Sequence, residues 1–228
     1  EALVRPGGKI REGEILSHHA WLEVVRMVGR SSDGDTFIVE PLVPDVFATM
    51  REIGEAPLPP YITERLSDAS RYQTVYAHEE RSAAAPTAGL HFTPNLLETI
   101  RGRGVRIEEV ELVVGLDTFK PVTVENPLDH VIHTERYRVS QSVLDVCHDA
   151  QRTGRRVVAV GTTAARALES AATTGLLEGD TNLFIYPGYE WKIVDRLMTN
   201  FHMPRTTLLL MISSFVGQRW RDIYAEAI

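Results

Sequence analysis

Residues 157–166 read Val-Val-Ala-Val-Gly-Thr-Thr-Ala-Ala-Arg, and this stretch decides the fold class. The apolar run predicts a buried strand over 156–160, Gly161-Thr162-Thr163 predicts a tight turn, and Ala164 to Thr174 predicts a helix that Gly175 ends. Ligands of open α/β sheets bind at the carboxyl ends of strands, so this turn is a candidate binding element. It lacks the glycines of a dinucleotide fingerprint and the lysine of a phosphate-binding loop, and many such turns bind nothing.

The sequence around this stretch alternates helices and strands from Tyr61 onward. Capping residues and final glycines predict helices from Thr93-Pro94 to about Arg103, from Ser140 to Ala150 and from Thr206 to Val216. Apolar patterns predict strands over Val105–Val114 and Asn182–Tyr186. Interleaved helices and strands indicate an α/β (α+β layered) main domain.

The first 50 or so residues have a different pattern, which favours β structure. Short apolar runs such as Trp21–Val25 and Thr36–Val39 are separated by Gly and Asp turns, as in part of a barrel or sandwich. The three prolines of Glu55–Pro60 forbid regular pairing and indicate a boundary. We therefore predict that residues 1–55 belong to a β domain and residues 56–228 to the α/β domain.

Composition excludes several classes of protein. The 228 residues are 43% hydrophobic and 24% charged, which argues against disorder, and no apolar run approaches the roughly 20 residues of a membrane span. A single cysteine, Cys147, excludes an internal disulfide framework and fits a reducing cytoplasm. The net charge is −7, but residues 151–228 carry nine basic and seven acidic side chains. A polyanion would therefore have to bind local positive patches.

Two further loops lead into helices and could carry chemistry. In Ala85–Thr93, small residues precede a helix N-terminus and His91 could act as a general acid or base; the alternative is a tight loop whose histidine bonds a backbone carbonyl. In Asn200–Thr207, His202 and Arg205 could face an anion, although Thr206 alone explains the helix start.

The polar segment Asp129–Glu135 has two histidines three residues apart, His130 and His133. With the flanking carboxylates they could hold a metal or form a proton-transfer pair, or they could be ordinary surface histidines. Aromatic and basic residues at Arg71-Tyr72 and at Tyr186–Tyr189 could stack on bases, although isolated pairs are usually packing residues.

Several motifs occur in one order along the chain: Arg71–Ala77, Ala85–Thr93, Gly161-Thr162-Thr163, Arg166 with Glu169-Ser170, Phe184–Tyr189 and Thr199–His202. This set closely resembles the S-adenosylmethionine:tRNA ribosyltransferase-isomerase family of queuosine biosynthesis, from about Glu1 to Ile228. The resemblance implies an α/β catalytic domain with an inserted β-barrel, incomplete here, and an N-terminal portion and C-terminal tail that this chain lacks. Departures are Asp117 at a usual glycine, no histidine within Glu111–Val114, and Arg205 where lysine is common.

The reaction that the resemblance implies moves and rearranges the ribosyl group of S-adenosylmethionine onto a 7-aminomethyl-7-deazaguanine at the tRNA wobble position. Epoxyqueuosine forms, and adenine and methionine leave. S-adenosylmethionine is then a co-substrate, with no bound cofactor or metal, and the partner is a tRNA anticodon loop. We expect a cytoplasmic monomer without membrane contact.

The site residues expected on this basis fall into three groups. The catalytic candidates are His91, His133 and His202. The S-adenosylmethionine candidates are Thr87, Gly89, Gly161, Thr162 and Thr163, and the tRNA candidates are Arg71, Tyr72, Arg166, Tyr186, Tyr189 and Arg205. Two other functions stay open at this point: a metal-dependent hydrolase using Asp129, His130, His133 and Glu135, and a noncatalytic nucleotide- or RNA-binding fragment.

Overall fold

The computed structural model describes residues 2–4, 9–19, 21–31, 36–55, 58, 62, 64, 66, 68–79, 82, 84–115, 124–130 and 132–227. Its internal contacts divide the chain into two compact units, Glu1–Ala56 and Pro57–Ile228. The division lies inside the proline-rich stretch at 55–60.

The first unit contains an antiparallel sheet of three strands, β1 (Ile15–His18), β2 (Leu22–Arg30) and β3 (Phe37–Pro41), in the order β1-β2-β3. Met27 and Phe37 are its most buried apolar side chains, at 1% and 5% exposure. A helix, α1 (Val46–Ile53), follows where we expected only β structure. Asp45 begins this helix, because its side chain accepts a hydrogen bond from the Ala48 N–H at 2.9 Å.

The second unit mixes helices and strands, as predicted. Its elements are α2 (Pro94–Gly102), β4 (Glu111–Val113), β5 (Glu135–Arg138), α3 (Gln141–Arg152), β6 (Val158–Val160), α4 (Thr162–Thr174), β7 (Glu178–Thr181), β8 (Arg196–Met198), α5 (Thr207–Val216) and α6 (Trp220–Ala227). Strands β4, β5 and β7 form an antiparallel sheet in that order, and β6 pairs with β8 in parallel.

The predicted helix starts are confirmed where a capping side chain was the basis of the prediction. Thr93, Ser140 and Thr206 each accept a hydrogen bond from the backbone N–H three residues on, at 3.2 to 3.3 Å. Gly175 ends α4 in the left-handed conformation, at φ 72°. Helix α4 begins at Thr162, so the two threonines that we expected in a turn form its first residues.

Of two predicted strands, one is shorter than expected and the other is absent. Only Glu111–Val113 of the predicted 105–114 strand pairs with a neighbour, and 182–186 forms no strand. In the latter segment, side chains satisfy the backbone of Leu183: its N–H donates to Thr181 Oγ1 at 3.1 Å and its carbonyl accepts from Arg166 Nε at 3.1 Å. The paired strand lies just before it, at β7.

The core of the second unit joins α3 and α4 to both sheets. Its members include Tyr137, Val139, Cys147, Ala159, Leu168, Ile185, Ile193 and Met211, each at most 8% exposed. The Tyr137 hydroxyl remains hydrogen-bonded inside this core, to Thr174 Oγ1 at 2.7 Å and to the Leu176 carbonyl at 3.2 Å. Among the described residues, none of the helices has the length and apolar content that crossing a bilayer would require.

Candidate active site

The turn between β6 and α4 is the centre of the candidate site. Gly161 has φ +91°, a conformation that side chains rarely adopt, and its N–H donates to the Met198 carbonyl at 2.8 Å. Among the residues that the structure describes, no side chain caps α4 by a hydrogen bond, in contrast to α2, α3 and α5. The first turn of a 13-residue helix therefore presents N–H groups and the Thr162 and Thr163 hydroxyls at the end of a strand.

The loop that precedes α2 lies against this turn. Residues Thr87–His91 form a 3₁₀ turn, and a Cβ built on Gly161 would lie 3.9 Å from the Ala88 Cβ. Gly89 is required for packing, since a Cβ there would overlap the Tyr76 hydroxyl and lie 2.9 Å from a Thr74 methyl group. The Gly89 N–H already donates to the Pro86 carbonyl at 2.8 Å, so it is not available to a ligand.

A small cavity of about 280 Å³ lies between two of the predicted motifs, Ala85–Thr93 and Thr199–His202. It is lined by Ala88, His91, Met198, Thr199, Asn200 and Phe201. His91 is exposed to solvent at this cavity. The sequence did not single out Met198, Asn200 or Phe201 as site residues, although they border or belong to a motif that it did single out.

A larger and mainly apolar cavity of about 1500 Å³ adjoins the same turn and also reaches Met198. Pro86 and Thr163 line it near the turn, and it extends along β6 to Val158, which is 56% exposed. Its volume exceeds the roughly 300–1,000 Å³ of typical ligand sites. We include in the candidate site only the part around Pro86, Thr163 and Met198, because this part adjoins the Gly161 turn.

His202 follows the cavity segment and is largely enclosed. Burial lowers the pKa of its imidazole to about 4, so the ring is neutral near pH 7. Nε2 lies 3.4 Å from Thr199 Oγ1, and Nδ1 is buried with no hydrogen-bond partner among the described residues. The His202 backbone N–H donates to the Tyr224 hydroxyl at 3.0 Å. A neutral imidazole held in this way can donate or accept a hydrogen bond but is a weak base.

Arg166 lies one turn beyond Thr162 on α4, and it forms a buried ion pair. Its Nη1 is 2.7 Å from Glu135 Oε2, and the two side chains are only 11% and 3% exposed. Burial lowers the Arg166 pKa, and Glu135 opposes that shift. This pair fastens the segment carrying His133 to α4. His133 is half-buried and lines neither cavity.

The expected tRNA residues differ in accessibility. Arg71 and Arg205 are exposed, Arg205 with φ +58°, and Tyr186 is 38% exposed. Tyr72 is only 9% exposed. The Tyr189 hydroxyl donates to Glu169 Oε2 at 2.9 Å, and burial foremost raises its pKa to about 12. The enclosed side chains of this group, Arg166, Tyr72 and Tyr189, therefore pack beneath the protein surface. The exposed ones, Arg71, Tyr186 and Arg205, are accessible to a ligand.

Glu169 is the most buried charged side chain that the structure describes, at 0% exposure. Its carboxylate accepts hydrogen bonds from the backbone N–H groups of Lys192, Ile193 and Val194, each at 2.9 Å, and from Tyr189. It therefore fixes the loop after Tyr186. In the sequence, Glu169 stands within an alanine- and leucine-rich run, and a carboxylate in such an apolar run indicates a buried group that needs hydrogen-bond donors.

The metal-site alternative loses its ligand set in the structure. Within the described ranges no group of three His, Cys, Asp or Glu side chains could hold a metal ion. Glu135 is committed to Arg166, and His130 makes an edge contact with Phe184 at 6.4 Å between ring centres. Asp117, the main departure from the family pattern, lies outside the described residues.

Comparison with known proteins finds relatives along nearly the whole chain. Proteins named S-adenosylmethionine:tRNA ribosyltransferase-isomerase from Desulfitobacterium hafniense and Moorella thermoacetica are each 46% identical, over 96% and 100% of this chain and 65% and 68% of their own. A crystal structure of an S-adenosylmethionine tRNA ribosyltransferase from Thermotoga maritima matches with a TM-score of 0.50 and 33% identity, over 99% of this chain and 63% of that one. The chain thus spans about two thirds of its curated relatives' length.

The family resemblance expected from the motifs is confirmed by a family model. That model, described as queuosine biosynthesis protein, matches residues 1–228. Because the match covers the whole chain, this protein belongs to the queuosine biosynthesis protein family.

Proposed function

We propose that this chain carries the catalytic site of an S-adenosylmethionine:tRNA ribosyltransferase-isomerase. The reaction moves and isomerises the ribosyl group of S-adenosylmethionine onto 7-aminomethyl-7-deazaguanine at the tRNA wobble position. It gives epoxyqueuosine and releases adenine and methionine. The observation that carries this proposal is a small cavity between His91 and Met198–Phe201, with the Gly161 turn hydrogen-bonded to Met198 at its edge, in a member of this family.

S-adenosylmethionine would lie against the uncapped start of α4. The N–H groups and hydroxyls of Thr162 and Thr163 suit the carboxylate of its methionine part, because a helix start favours negative charge. Thr87 would contact the ligand from the facing 3₁₀ turn. Gly161 contributes through the positive φ that the turn requires, and Gly89 through the close packing beneath it.

The chemistry requires at least one proton acceptor at the reacting ribose. The sulfonium acidifies the neighbouring ribose C–H, a base removes that proton, and departure of adenine is assisted by an acid. The aminomethyl group attacks in its neutral form, and water is kept from the reactive intermediate. His91 is the proposed acid/base, since its imidazole lines the small cavity and can exchange protons with solvent.

His202 and His133 are the proposed second contributors. With a pKa of about 4, His202 would act as a neutral hydrogen-bonding group rather than as the base. His133 would act from the segment that the Arg166–Glu135 pair fastens to α4. The two differ in a testable way, because His202 borders the segment that lines the small cavity, whereas His133 lines neither the small nor the large cavity.

The tRNA partner would present its anticodon loop with the target base extruded from the stack. Arg71, Tyr186 and Arg205 are the proposed direct contacts, and Tyr72, Arg166 and Tyr189 hold the surface from below. We further propose that the β sheet of the first unit is part of an inserted barrel, and that the enzyme acts as a cytoplasmic monomer.

The decisive experiment incubates the 228-residue chain with S-adenosylmethionine and an anticodon stem-loop that carries the aminomethyl precursor base. Adenine release is measured against a reaction with an unmodified stem-loop. We expect release only with the precursor. Binding of either substrate without any release would instead support the noncatalytic alternative and overturn the proposal for this chain.

The role of His91 is tested by His91→Ala and His91→Gln, with His148→Gln as the matched control on the exposed face of α3. Loss of a general acid/base typically lowers turnover by about 10²- to 10⁴-fold. We expect that loss in both His91 variants, with S-adenosylmethionine binding retained and the control unchanged. Turnover near the wild-type value in both variants would remove His91 from the chemistry.

A further inference from the structure

A cluster of aromatic side chains with one arginine stands beside the small cavity and has no part in the proposed chemistry. It consists of Phe201, Trp220, Arg221 and Tyr224, and we name it the aromatic rim. We infer that the aromatic rim stacks on unpaired nucleobases that flank the target base of the tRNA. This inference rests on the proposed function and adds a binding surface to it.

The rings of the aromatic rim are held in fixed relative positions. The Phe201 and Tyr224 rings meet edge to face with centres 4.9 Å apart, and those of Trp220 and Tyr224 meet in the same way at 5.6 Å. The Tyr224 hydroxyl accepts a hydrogen bond from the His202 backbone N–H at 3.0 Å. Helix α6 is thereby fastened to the segment that lines the cavity. Preordered rings lose little conformational entropy when a base stacks on them.

Phe201 connects the aromatic rim to the cavity. It lines the small cavity together with His91, yet 58% of its surface is exposed. An enzyme that acts on one base of a loop must extrude that base, which leaves the neighbouring bases unstacked. A rigid aromatic surface next to the cavity is positioned to receive those neighbours.

The charge around the aromatic rim also favours RNA. The Arg221 guanidinium lies 4.9 Å from the centre of the Trp220 ring, and its Nε donates to Gln218 at 3.2 Å. Residues 201–228 contain three arginines and two carboxylates, in a chain whose net charge is −7. Aromatic rings interleaved with arginine are the usual composition of surfaces that bind single strands, where bases stack and phosphates pair with cations.

The test compares ring removal with charge removal. Binding of the anticodon stem-loop to the 228-residue chain is measured by fluorescence anisotropy over a series of salt concentrations. Trp220→Ala should weaken binding by about 5- to 150-fold without changing the salt dependence, whereas Trp220→Phe should stay within about threefold of wild type. Arg221→Gln should weaken binding and lower the slope of log K against log salt by about 0.7.

Matched controls remove a similar group elsewhere. Trp21→Ala removes a tryptophan that is 78% exposed in the first unit, and Arg152→Gln removes an exposed positive charge from α3. Neither should change RNA affinity by more than about twofold. In every variant, S-adenosylmethionine affinity measured by calorimetry should equal that of wild type, which excludes general damage to the fold.

Three results would overturn the inference. The first is wild-type RNA affinity in both Trp220→Ala and Arg221→Gln. The second is an equal loss in the Trp21→Ala control. The third is altered self-association of Trp220→Ala at unchanged RNA affinity, since the aromatic rim would then be a protein contact. If the wild-type chain releases adenine from the precursor stem-loop, any of these results refutes only the inference about the aromatic rim. If the wild-type chain neither binds RNA nor releases adenine, the proposed function is refuted together with the inference.

Discussion

Replacing Glu169 tests how the loop after Tyr186 is held. The carboxylate has no exposed surface and accepts four hydrogen bonds, from three consecutive backbone N–H groups and from the Tyr189 hydroxyl. Glu169→Ala removes all four acceptors at once. The N–H groups of Ile193 and Val194 then remain in the core, where these residues are 1% and 4% exposed.

The expected loss of unfolding free energy follows from these contacts. An unsatisfied buried donor costs about 1–3 kcal/mol, and relaxation of the loop lets water reach some of the donors. We therefore expect Glu169→Ala to lower the free energy of unfolding by about 3–5 kcal/mol. Glu169→Gln retains one acceptor oxygen and should cost about 2–3 kcal/mol. Glu98→Gln, at an exposed position on α2, is the matched control and should change it by less than about 0.5 kcal/mol.

Urea denaturation followed by tryptophan fluorescence and far-ultraviolet circular dichroism measures these differences. Trp191 reports on the loop itself, because its ring meets those of Tyr189 and Phe215 edge to face, with centres 5.6 and 4.9 Å apart. The thermal midpoint should fall by about 2–4 °C for each kcal/mol. A Glu169→Ala variant within 1 kcal/mol of wild type at an unchanged denaturant slope would refute the role of Glu169 as an anchor.

Three further predictions concern the framework of the site. Glu135→Gln leaves the Arg166 guanidinium buried without its counter-charge and should lower the free energy of unfolding by about 3 kcal/mol, with Arg166→Met in the same chain recovering part of it. Gly89→Ala should lower the free energy of unfolding by about 1–3 kcal/mol, because the new methyl group overlaps Tyr76. Adding Tyr76→Phe should recover part of this loss in the double variant, whereas Tyr76→Phe alone should not raise the stability. Folding lowers the pKa of His202 from 6.5 to about 4, so this imidazole takes up a proton at a higher pH in the unfolded chain than in the folded one. The stability that the neutral His202 allows is therefore fully present above about pH 6.5 and is lost as the pH falls toward 4. His202→Gln should flatten the stability profile in that window by up to about 1.4 kcal/mol per pH unit, and an unchanged profile between pH 6.5 and 4 would show that this imidazole titrates normally.

Local chemistry explains which parts of the fold could be predicted. Thr93, Ser140 and Thr206 fix the starts of three helices through one side-chain hydrogen bond each, and such a bond depends only on neighbouring residues. The strand pairs β5–β7 and β6–β8 join segments about 40 residues apart, and nothing local in their sequence indicates the partner. The apolar pattern of 182–186 likewise predicts a strand, because it carries no sign that side chains of α4 and β7 satisfy the backbone of Leu183.

The candidate site shows the same division between local and distant causes. The glycine turn at 161 and the motif containing His91 were visible in the sequence, because both lead into helix starts. The hydrogen bond from Gly161 to Met198, the cavity that His91 and Met198 share, and the buried pairing of Arg166 with Glu135 depend on the tertiary fold. The family resemblance predicts that Arg166 contacts an RNA phosphate, whereas in the fold its guanidinium pairs with Glu135.

Helix α4 unites these observations, since its first turn faces the candidate site while its second and third turns hold the surroundings in place. Arg166 binds the segment that carries His133, and Glu169 binds the loop that follows Tyr186. Both ties are buried and consist of hydrogen bonds to a charged group, so each fixes a direction as well as a distance, which apolar contacts alone would do less strictly. Transfer of a ribosyl group needs the donor, the base and the acceptor amine aligned within a fraction of an ångström. We therefore expect that weakening either tie will lower turnover more than the affinity for S-adenosylmethionine, because the first turn of α4 stays intact while the groups around it lose their alignment.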